Sequence, residues 1–367
     1  MTVTHVRGES RALEAQVHRW QAPPVHLRVF TEAIPTWTAR TPPGTSIEIR
    51  LRVGSGAPGA VTWSDRAVLA RWSSDPEHAS TTVAGQALRG IRVDADTATA
   101  VPAELGGEAE WLEVDALLHG APGGDGVLPE VDRISVLTRG TAPPRADIAP
   151  SRPRGVDIDI RLPRLSQRQQ GTLPGYGGGD VWCSPTSLTM MLRFLADTGP
   201  DDAGRDAAGP DDAGPDDAGE NTAGADGSVA SGASPDVLTA VRGVWDEAYD
   251  GAGNWAFNTA WAAAHGYEAF LDTLPDLRAG EELLAAGEPF IASVTFDAAE
   301  LPEAGYETGG HLLVVSGVTA DGDVRVHDPA APTAAAVRRT YPRAAFERAW
   351  LSREGSGGLV YRIRRRR

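Results

Sequence analysis

The most telling stretch of the chain reads Gly177-Gly-Gly-Asp-Val-Trp-Cys183-Ser-Pro-Thr-Ser-Leu-Thr-Met-Met-Leu192. Three consecutive glycines favour an irregular backbone before the cysteine. After it, Pro185 suits the first turn of a helix. Apolar residues then recur at helical spacing, at Leu188, Met191, Leu192 and Leu195. The pattern predicts a helix whose N-terminus lies at Cys183 or directly after it.

Cys183 is the only cysteine among 367 residues, so it cannot form an internal disulfide. One interpretation is a small apolar core residue, which is a common role of a free cysteine. The other interpretation is a nucleophile, because the unpaired N–H groups and the positive dipole end of a helix N-terminus favour the thiolate. We favour the nucleophile, since a histidine and an aspartate in suitable surroundings follow downstream.

The composition indicates a globular protein that is long enough for two domains. No lysine occurs, so all 34 basic residues are arginine, and the formal net charge is −16. This balance argues against a nucleic-acid-binding surface. The first residues lack the apolar segment of a signal peptide, and no run is long enough for a membrane helix. We therefore expect a cytoplasmic protein without a membrane span.

Residues 1–145 are expected to form an all-β, sandwich-like domain. Apolar and polar side chains alternate strictly over residues 46–53, as in a half-buried strand, and similar segments occur at 67–72, 111–117 and 133–138. Four tryptophans of this part either fill the core or form an aromatic face for a surface or glycan ligand: Trp37, Trp63, Trp72 and Trp111.

Residues 146–155 are expected to be a proline-rich linker, and residues 156–367 a second domain. An acidic insert at about 197–232 has little apolar surface to bury and is predicted to be disordered. The remaining patterns predict helices over 235–249 and 258–265, followed by strands over 289–296, 311–318, 324–327 and 358–363. Helices followed by antiparallel strands give an α+β arrangement.

His311 and Asp328 are the candidates to act together with Cys183. His311 opens an apolar strand directly after two glycines, and Asp328 ends the next strand of the same predicted hairpin. The two side chains should therefore lie close enough for the carboxylate to orient the imidazole. Either residue could instead be structural, as a hydrogen-bonded histidine or as an Asp-Pro turn. His327 should point to the opposite face of the sheet.

Metal chemistry has no sequence support. Neither a spaced set of cysteines and histidines nor an HExxH motif occurs, so we expect no metal site and no cofactor.

Four short segments together resemble the C39-like peptidase family in its actinobacterial two-domain form: Leu165-Ser-Gln167, Trp182-Cys183-Ser-Pro-Thr-Ser187, Gly310-His311-Leu-Leu-Val-Val and Asp328-Pro329. The resemblance covers about residues 156–367. It implies a papain-like cysteine peptidase fold, related to the bacteriocin-processing peptidase domains of certain ABC transporters. It also implies that Cys183 is the nucleophile, that His311 is the base and that Asp328 orients the base.

The same resemblance implies that the Gln167 side chain and the backbone N–H of Cys183 stabilise the oxyanion. Gln169 or Gln170 could take the place of Gln167, because sixteen positions separate Gln167 from Cys183, more than in the transporter-linked peptidases. Ser184 is a second departure, since a glycine is usual there. Residues 251–258 resemble a stretch of related actinobacterial proteins, for which no role is assigned.

These observations predict a cysteine peptidase or thiol-dependent amide hydrolase that acts on a peptide or protein through a thioester. Two other functions stay open at this point. One is a non-catalytic ligand- or glycan-binding protein with a vestigial papain-like domain, although the presence of all three residue types argues against it. The other is an acyltransferase of transglutaminase type, which also uses Cys, His and Asp.

Overall fold

The computed structural model describes residues 2–14, 16–123, 126–198 and 235–366. Most of the acidic insert predicted to be disordered lies outside these residues. Within them, no helix has the length and apolar character needed to cross a membrane.

The described residues of the N-terminal region form thirteen strands and one short α-helix. The helix is α1, Pro102–Leu105, and the strands are β1 Thr2–Val6, β2 Glu9–Glu14, β3 Val17–Gln21, β4 Val25–Phe30, β5 Glu32–Arg40, β6 Ser46–Ser55, β7 Thr62–Trp63, β8 Ala67–Trp72, β9 Thr81–Thr82, β10 Ile91–Asp94, β11 Thr97–Ala100, β12 Ala109–His119 and β13 Glu130–Arg139. One antiparallel sheet has the order β1-β13-β5-β11-β10. The other has the order β2-β3-β12-β6-β8-β9, with β4 beside β12 and β7 beside β6.

The two N-terminal sheets enclose one hydrophobic core. Strict alternation in β6 supplies part of it, because Ile47, Ile49 and Leu51 all point inward and are fully buried. Trp37 and Trp72 also belong to this core, with their ring centroids 5.8 Å apart, and so are not available as a ligand face. Trp63 and Trp111 are only half-buried and lie outside it.

In the described part of the C-terminal region there are nine strands and five α-helices. The strands are β14 Ile158–Asp159, β15 Thr172–Leu173, β16 Gly177–Gly178, β17 Tyr267–Thr273, β18 Phe290–Phe296, β19 Thr308–Val318, β20 Val324–His327, β21 Arg338–Tyr341 and β22 Leu359–Arg365. The helices are α2 Cys183–Asp197, α3 Val237–Val244, α4 Trp255–Ala264, α5 Leu277–Ala285 and α6 Arg343–Leu351.

The main C-terminal sheet is antiparallel, with the order β17-β22-β18-β19-β20-β21 and with β14 beside β19. Helices cover both of its faces. Leu312 and Val314 of β19 share a core with α2, α3 and α4, whereas the alternate residues Leu313 and Val315 share a core with α5 and α6. The region is therefore mixed α and β. The sequence predicts helices followed by strands, but in the structure α5 lies between β17 and β18 and α6 lies between β21 and β22.

Two predicted helices have different bounds in the structure. The helix predicted over 235–249 ends at Val244, because Trp245 is extended and Asp246 starts a hydrogen-bonded turn. The helix predicted over 258–265 begins earlier, at Trp255. Asn254 starts it, since its side chain accepts a hydrogen bond from the N–H of Phe257 at 3.0 Å.

The N-terminal and C-terminal regions share their cores. Ala256, Phe257 and Ala260 of α4 pack into the core between the two N-terminal sheets. In return, Ile34 and Leu137 of the N-terminal region pack into the core that contains α2. The interface is therefore an internal part of both cores.

The proline-rich segment between the two regions is bound along the C-terminal one. The backbone N–H and the hydroxyl of Ser151 donate to the carboxylate of Glu347, at 2.7 and 2.6 Å. The side chain of Arg145 forms an ion pair with Glu300. Ile148 packs against the core that contains α5 and α6. The segment is thus held against the C-terminal region by hydrogen bonds, an ion pair and apolar packing.

Candidate active site

Cys183 is the first residue of α2, as the sequence predicts. Among the described residues, no side chain caps the N-terminus of this helix, so the N–H groups of its first turn remain available near the sulfur. The preceding Trp182 is fully buried, and its indole N–H donates to the carbonyl oxygen of Tyr176 at 2.9 Å. Cys183 as a whole residue is half-buried. This combination fixes the backbone around a cysteine that is only partly buried as a residue.

His311 and Asp328 lie together at one end of the main sheet. Their strands are neighbours, since Val314 of β19 pairs with His327 of β20. The Nε2 atom of His311 lies 2.8 Å from Oδ1 of Asp328. His311 is 4% exposed and Asp328 is fully buried, so water hardly competes for this bond.

Asp328 is surrounded by hydrogen-bond donors. Besides His311, its Oδ1 accepts the N–H of Ala330 at 2.9 Å. Its Oδ2 accepts the hydroxyls of Tyr306 at 2.7 Å and Tyr341 at 2.5 Å. Burial opposes ionisation, but the neighbouring imidazole and these hydrogen bonds hold the pKa of Asp328 well below its usual range.

Both tyrosines belong to the site without any signal in the sequence that predicts it. Tyr341 ends β21, a strand that was not predicted, and Tyr306 lies in the loop before β19. Neither position carries a motif, so only the folded arrangement brings their hydroxyls to Asp328.

The imidazole of His311 also lies near enough to the sulfur of Cys183 to influence its ionisation. Because Asp328 engages Nε2, the nitrogen left for the sulfur is Nδ1. Burial disfavours the thiolate, but His311 and the N–H groups of Leu312 and Ser184 outweigh it and lower the pKa of Cys183. Burial likewise disfavours the imidazolium, but Asp328 and Cys183 outweigh it and raise the pKa of His311. The site therefore favours a thiolate–imidazolium pair.

Of the three candidate glutamines, only Gln167 is buried, at 3% exposure. Its amide nitrogen donates to the carbonyl oxygen of Asp180 at 2.9 Å. Its backbone N–H donates to the carbonyl of Pro329, the residue after Asp328, also at 2.9 Å. Gln169 is exposed and its side chain accepts the N–H of Ala334. The side chain of Gln170 donates to the carbonyl of Ser166.

A glycine lets the chain before Cys183 pass close to Gln167. A Cβ atom at Gly179 would lie 1.9 Å from the carbonyl oxygen of Gln167, so no other residue fits there without a shift of the backbone. The same tight turn, Gly179–Val181, leads directly into Trp182 and Cys183. The backbone at Gln167 and the turn before Cys183 are therefore in direct contact at the site.

His327 lies on the other face of β20 from Asp328. Its Nδ1 is 3.0 Å from the hydroxyl oxygen of Ser316. Burial, together with the charges of Arg338 and Arg164, lowers the pKa of His327 to about 4. It is therefore a neutral structural histidine near neutral pH.

Ser184, where the resemblance suggests glycine, is fully buried, and its Oγ lies 3.1 Å from the hydroxyl of Tyr361. The buried serine hydroxyl thus has a hydrogen-bond partner at this position. Within the part of the chain that the structure describes, no three His, Cys, Asp or Glu side chains are grouped as metal ligands would be.

Comparison with protein-family models gives two matches. Residues 160–357 match the model described as Peptidase_C39 like family, and residues 3–138 match the model described as Peptidase C39 N-terminal domain. The first match contains the four candidate site residues Gln167, Cys183, His311 and Asp328. Neither a curated protein nor a solved structure matches the chain significantly.

Proposed function

This chain belongs to the peptidase C39-like family, and we propose that it is a papain-like cysteine peptidase with Cys183 as its nucleophile. The observation that carries the proposal is the buried 2.8 Å hydrogen bond between His311 and Asp328, next to a cysteine that begins α2. A core cysteine with no chemical role would need neither a half-buried position nor an imidazole beside its sulfur.

In the proposed acylation step, the Cys183 thiolate attacks the carbonyl carbon of a peptide bond. The oxyanion that forms is stabilised by the backbone N–H of Cys183 and the side-chain amide of Gln167. The imidazolium of His311 gives its proton to the amide nitrogen, the C–N bond breaks and the amine product leaves. The acyl group remains as a thioester on Cys183.

Water completes the proposed cycle. Neutral His311 takes a proton from a water molecule, and the hydroxide oxygen attacks the thioester carbon. The C–S bond breaks, the carboxylic acid product leaves and the thiolate–imidazolium pair is restored. Asp328 accepts the Nε2–H of His311 throughout, and the tyrosine hydroxyls on its other oxygen keep it ionised.

Labelling with iodoacetamide and an epoxide of the E-64 type tests the nucleophile. Because Cys183 is the only cysteine, every alkylated protein molecule reports on this one sulfur. We expect rapid labelling with an apparent pKa below that of a free thiol, and no labelling or peptide hydrolysis by Cys183→Ala. His327→Ala is the matched control, and it should keep both activities.

Unchanged hydrolysis by Cys183→Ala would remove the sulfur from the mechanism. Product formed only with an added amine acceptor, and never with water, would instead favour the acyltransferase.

A further inference from the structure

The side chain of Tyr306 closes a triangle with the two buried residues of the candidate site. Its hydroxyl donates to Oδ2 of Asp328 at 2.7 Å, and Nε2 of His311 lies 2.8 Å from Oδ1 of the same carboxylate. The rings of Tyr306 and His311 also meet edge to face, with centroids 5.6 Å apart and planes at 77° to each other. Tyr306 therefore contacts both members of the pair.

The hydrogen bond to Asp328 does not by itself fix the plane of the imidazole. It holds one ring nitrogen in place, but the ring can still turn about the axis of that bond, and the outer torsion of a histidine side chain is intrinsically broad. A second ring packed at a steep angle restricts this rotation. In the described part of the chain, the only aromatic ring that meets His311 in this way is that of Tyr306.

The loop that carries Tyr306 is held against the interior of the C-terminal region. Ala304, two residues earlier, is buried in the core that contains α5 and α6, and its carbonyl accepts a hydrogen bond from the Arg339 guanidinium. The Tyr306 ring packs on that of Phe296 at the end of β18, with centroids 5.3 Å apart. These contacts keep the tyrosine ring in one place relative to His311.

Tyr306 also lies at the boundary between the pair and solvent. It is half-buried, and its two neighbours in the chain, Gly305 and Glu307, are exposed. His311 and Asp328 are buried, so the ring helps to separate their hydrogen bond from water. Burial and the charge of Asp328 raise the pKa of Tyr306 far above its usual value, and its hydroxyl therefore remains protonated and a donor.

Tyr341 provides a comparison at the same carboxylate. Its hydroxyl donates to the same Oδ2 atom of Asp328 at 2.5 Å, but it is fully buried at the end of β21. Among the described residues, Tyr341 thus supplies a hydroxyl to the pair, whereas Tyr306 supplies both a hydroxyl and a ring.

We propose that Tyr306 is a positioning residue whose ring sets the plane of the His311 imidazole while its hydroxyl holds the Asp328 carboxylate. This inference rests on the proposed function, because it takes His311 as the group that protonates the leaving amine and activates water. Proton transfer requires the ring nitrogen to point at the reacting atom. An imidazole that turns freely would therefore lower turnover without weakening the binding of substrate.

Two substitutions at Tyr306 separate the ring from the hydroxyl. Tyr306→Phe removes the hydroxyl alone and should lower kcat about as much as Tyr341→Phe does, since each takes one donor from the same oxygen. Tyr306→Leu also removes the ring and should lower kcat further, by up to about 10²-fold, with little change in KM. Steady-state kinetics on any cleavable peptide measures both quantities.

Tyr267→Leu is the matched control for the loss of a tyrosine ring. Tyr267 is also half-buried, but it packs against the core that contains α3 and α4, and its hydroxyl donates to the carbonyl of Leu192. This variant should have the kcat and KM of the wild type.

Proton NMR follows the imidazole without requiring turnover. The Nε2–H of a histidine bonded to a buried carboxylate gives a low-field resonance when it exchanges slowly with water, and His311→Gln identifies this resonance by its loss. The resonance should persist in the wild type, Tyr306→Phe, Tyr341→Phe and Tyr267→Leu, and should broaden or vanish in Tyr306→Leu. Tyr306→Met, which also lacks a ring, gives the same test should the leucine variant not fold.

The two measurements separate this inference from the proposed function. Equal kcat values and equal resonances in Tyr306→Phe and Tyr306→Leu would overturn the role of the ring. A wild type whose resonance depends on the ring, but which hydrolyses no peptide and is alkylated no faster than a free thiol, would instead overturn the proposed function.

Discussion

The buried carboxylate of Asp328 accepts hydrogen bonds from four groups, one of which is the His311 imidazole. Replacing Asp328 therefore tests how much the imidazole depends on this carboxylate. In Asp328→Asn, the amide can present an N–H where His311 needs an acceptor, so the imidazole tautomer is no longer fixed. We expect turnover to fall by up to about 10⁴-fold, with a smaller change in KM. Steady-state kinetics on any cleavable peptide measures both quantities.

The same variant should change the pH dependence of alkylation. Without the Asp328 anion, the pKa of His311 falls, so less of the imidazole is protonated. Because the imidazolium stabilises the thiolate, the pKa of Cys183 then rises. The iodoacetamide profile of Asp328→Asn should therefore shift toward higher pH. If His327→Ala damaged turnover more than Asp328→Asn did, Asp328 would lose its assignment before Cys183 or His311.

Tyr341 offers a comparison between a charged and a neutral hydrogen-bond partner. Its hydroxyl donates to the Asp328 carboxylate, whereas the equally buried Tyr361 is bonded to the neutral hydroxyl of Ser184. We expect Tyr341→Phe to lower the free energy of unfolding by about 1.5–3 kcal/mol and Tyr361→Phe by about 0.5–1.5 kcal/mol. Urea denaturation at pH 7 measures both, and an equal loss in the two variants would contradict this ranking.

Strand β20 shows how one element serves two purposes. Successive side chains along a strand point to opposite faces of the sheet. His327, the last residue of β20, therefore contacts Ser316, whereas Asp328, the next residue, contacts His311. The pKa of His327 is about 4 in the folded state, against 6.5 for an unperturbed histidine. The unfolded chain therefore binds the proton more readily, and stability is lost as the pH falls from about 6.5 to about 4.

We expect His327→Gln to flatten this pH dependence, since glutamine has no proton to gain. The melting temperatures of the wild type and the variant should converge, or cross, as the pH falls from 7 to 4.5. A His327→Gln variant whose melting temperature falls with pH as steeply as that of the wild type would show that other groups cause the acid sensitivity.

Elements with a strong apolar period could be predicted from the sequence, and elements set by distant contacts could not. Strands β6 and β19 and helix α2 follow from Ile47, Leu313 and Leu188 and their periodic neighbours. The end of α3 does not, because Asp246 turns the chain by bonding to Thr82, far away in sequence. Cys183, His311 and Asp328 could be proposed as candidates because they lie at a predicted helix start and at predicted strand ends, whereas Tyr306 and Tyr341 meet Asp328 only through contacts that the sequence does not indicate.

At the scale of the whole molecule, Phe257 is the largest side chain of α4 that packs into the N-terminal core. It belongs to a C-terminal helix but is fully buried in the core of the N-terminal sheets. We expect Phe257→Ala to destabilise the protein by about 3–5 kcal/mol and to lower a single melting transition. Scanning calorimetry checks this. Two separate transitions, of which Phe257→Ala shifted only one, would show that the regions unfold independently.

The exchange of side chains between the two cores also bears on how such a protein can change over generations. A recombination event that replaced the N-terminal half with an unrelated fold would expose Phe257 and its neighbours on α4, and would leave holes where Ile34 and Leu137 were. New partners could be acquired only by altering the outer surfaces, with both halves inherited together. The C39-like region therefore cannot be separated from the N-terminal region without loss of its interior packing.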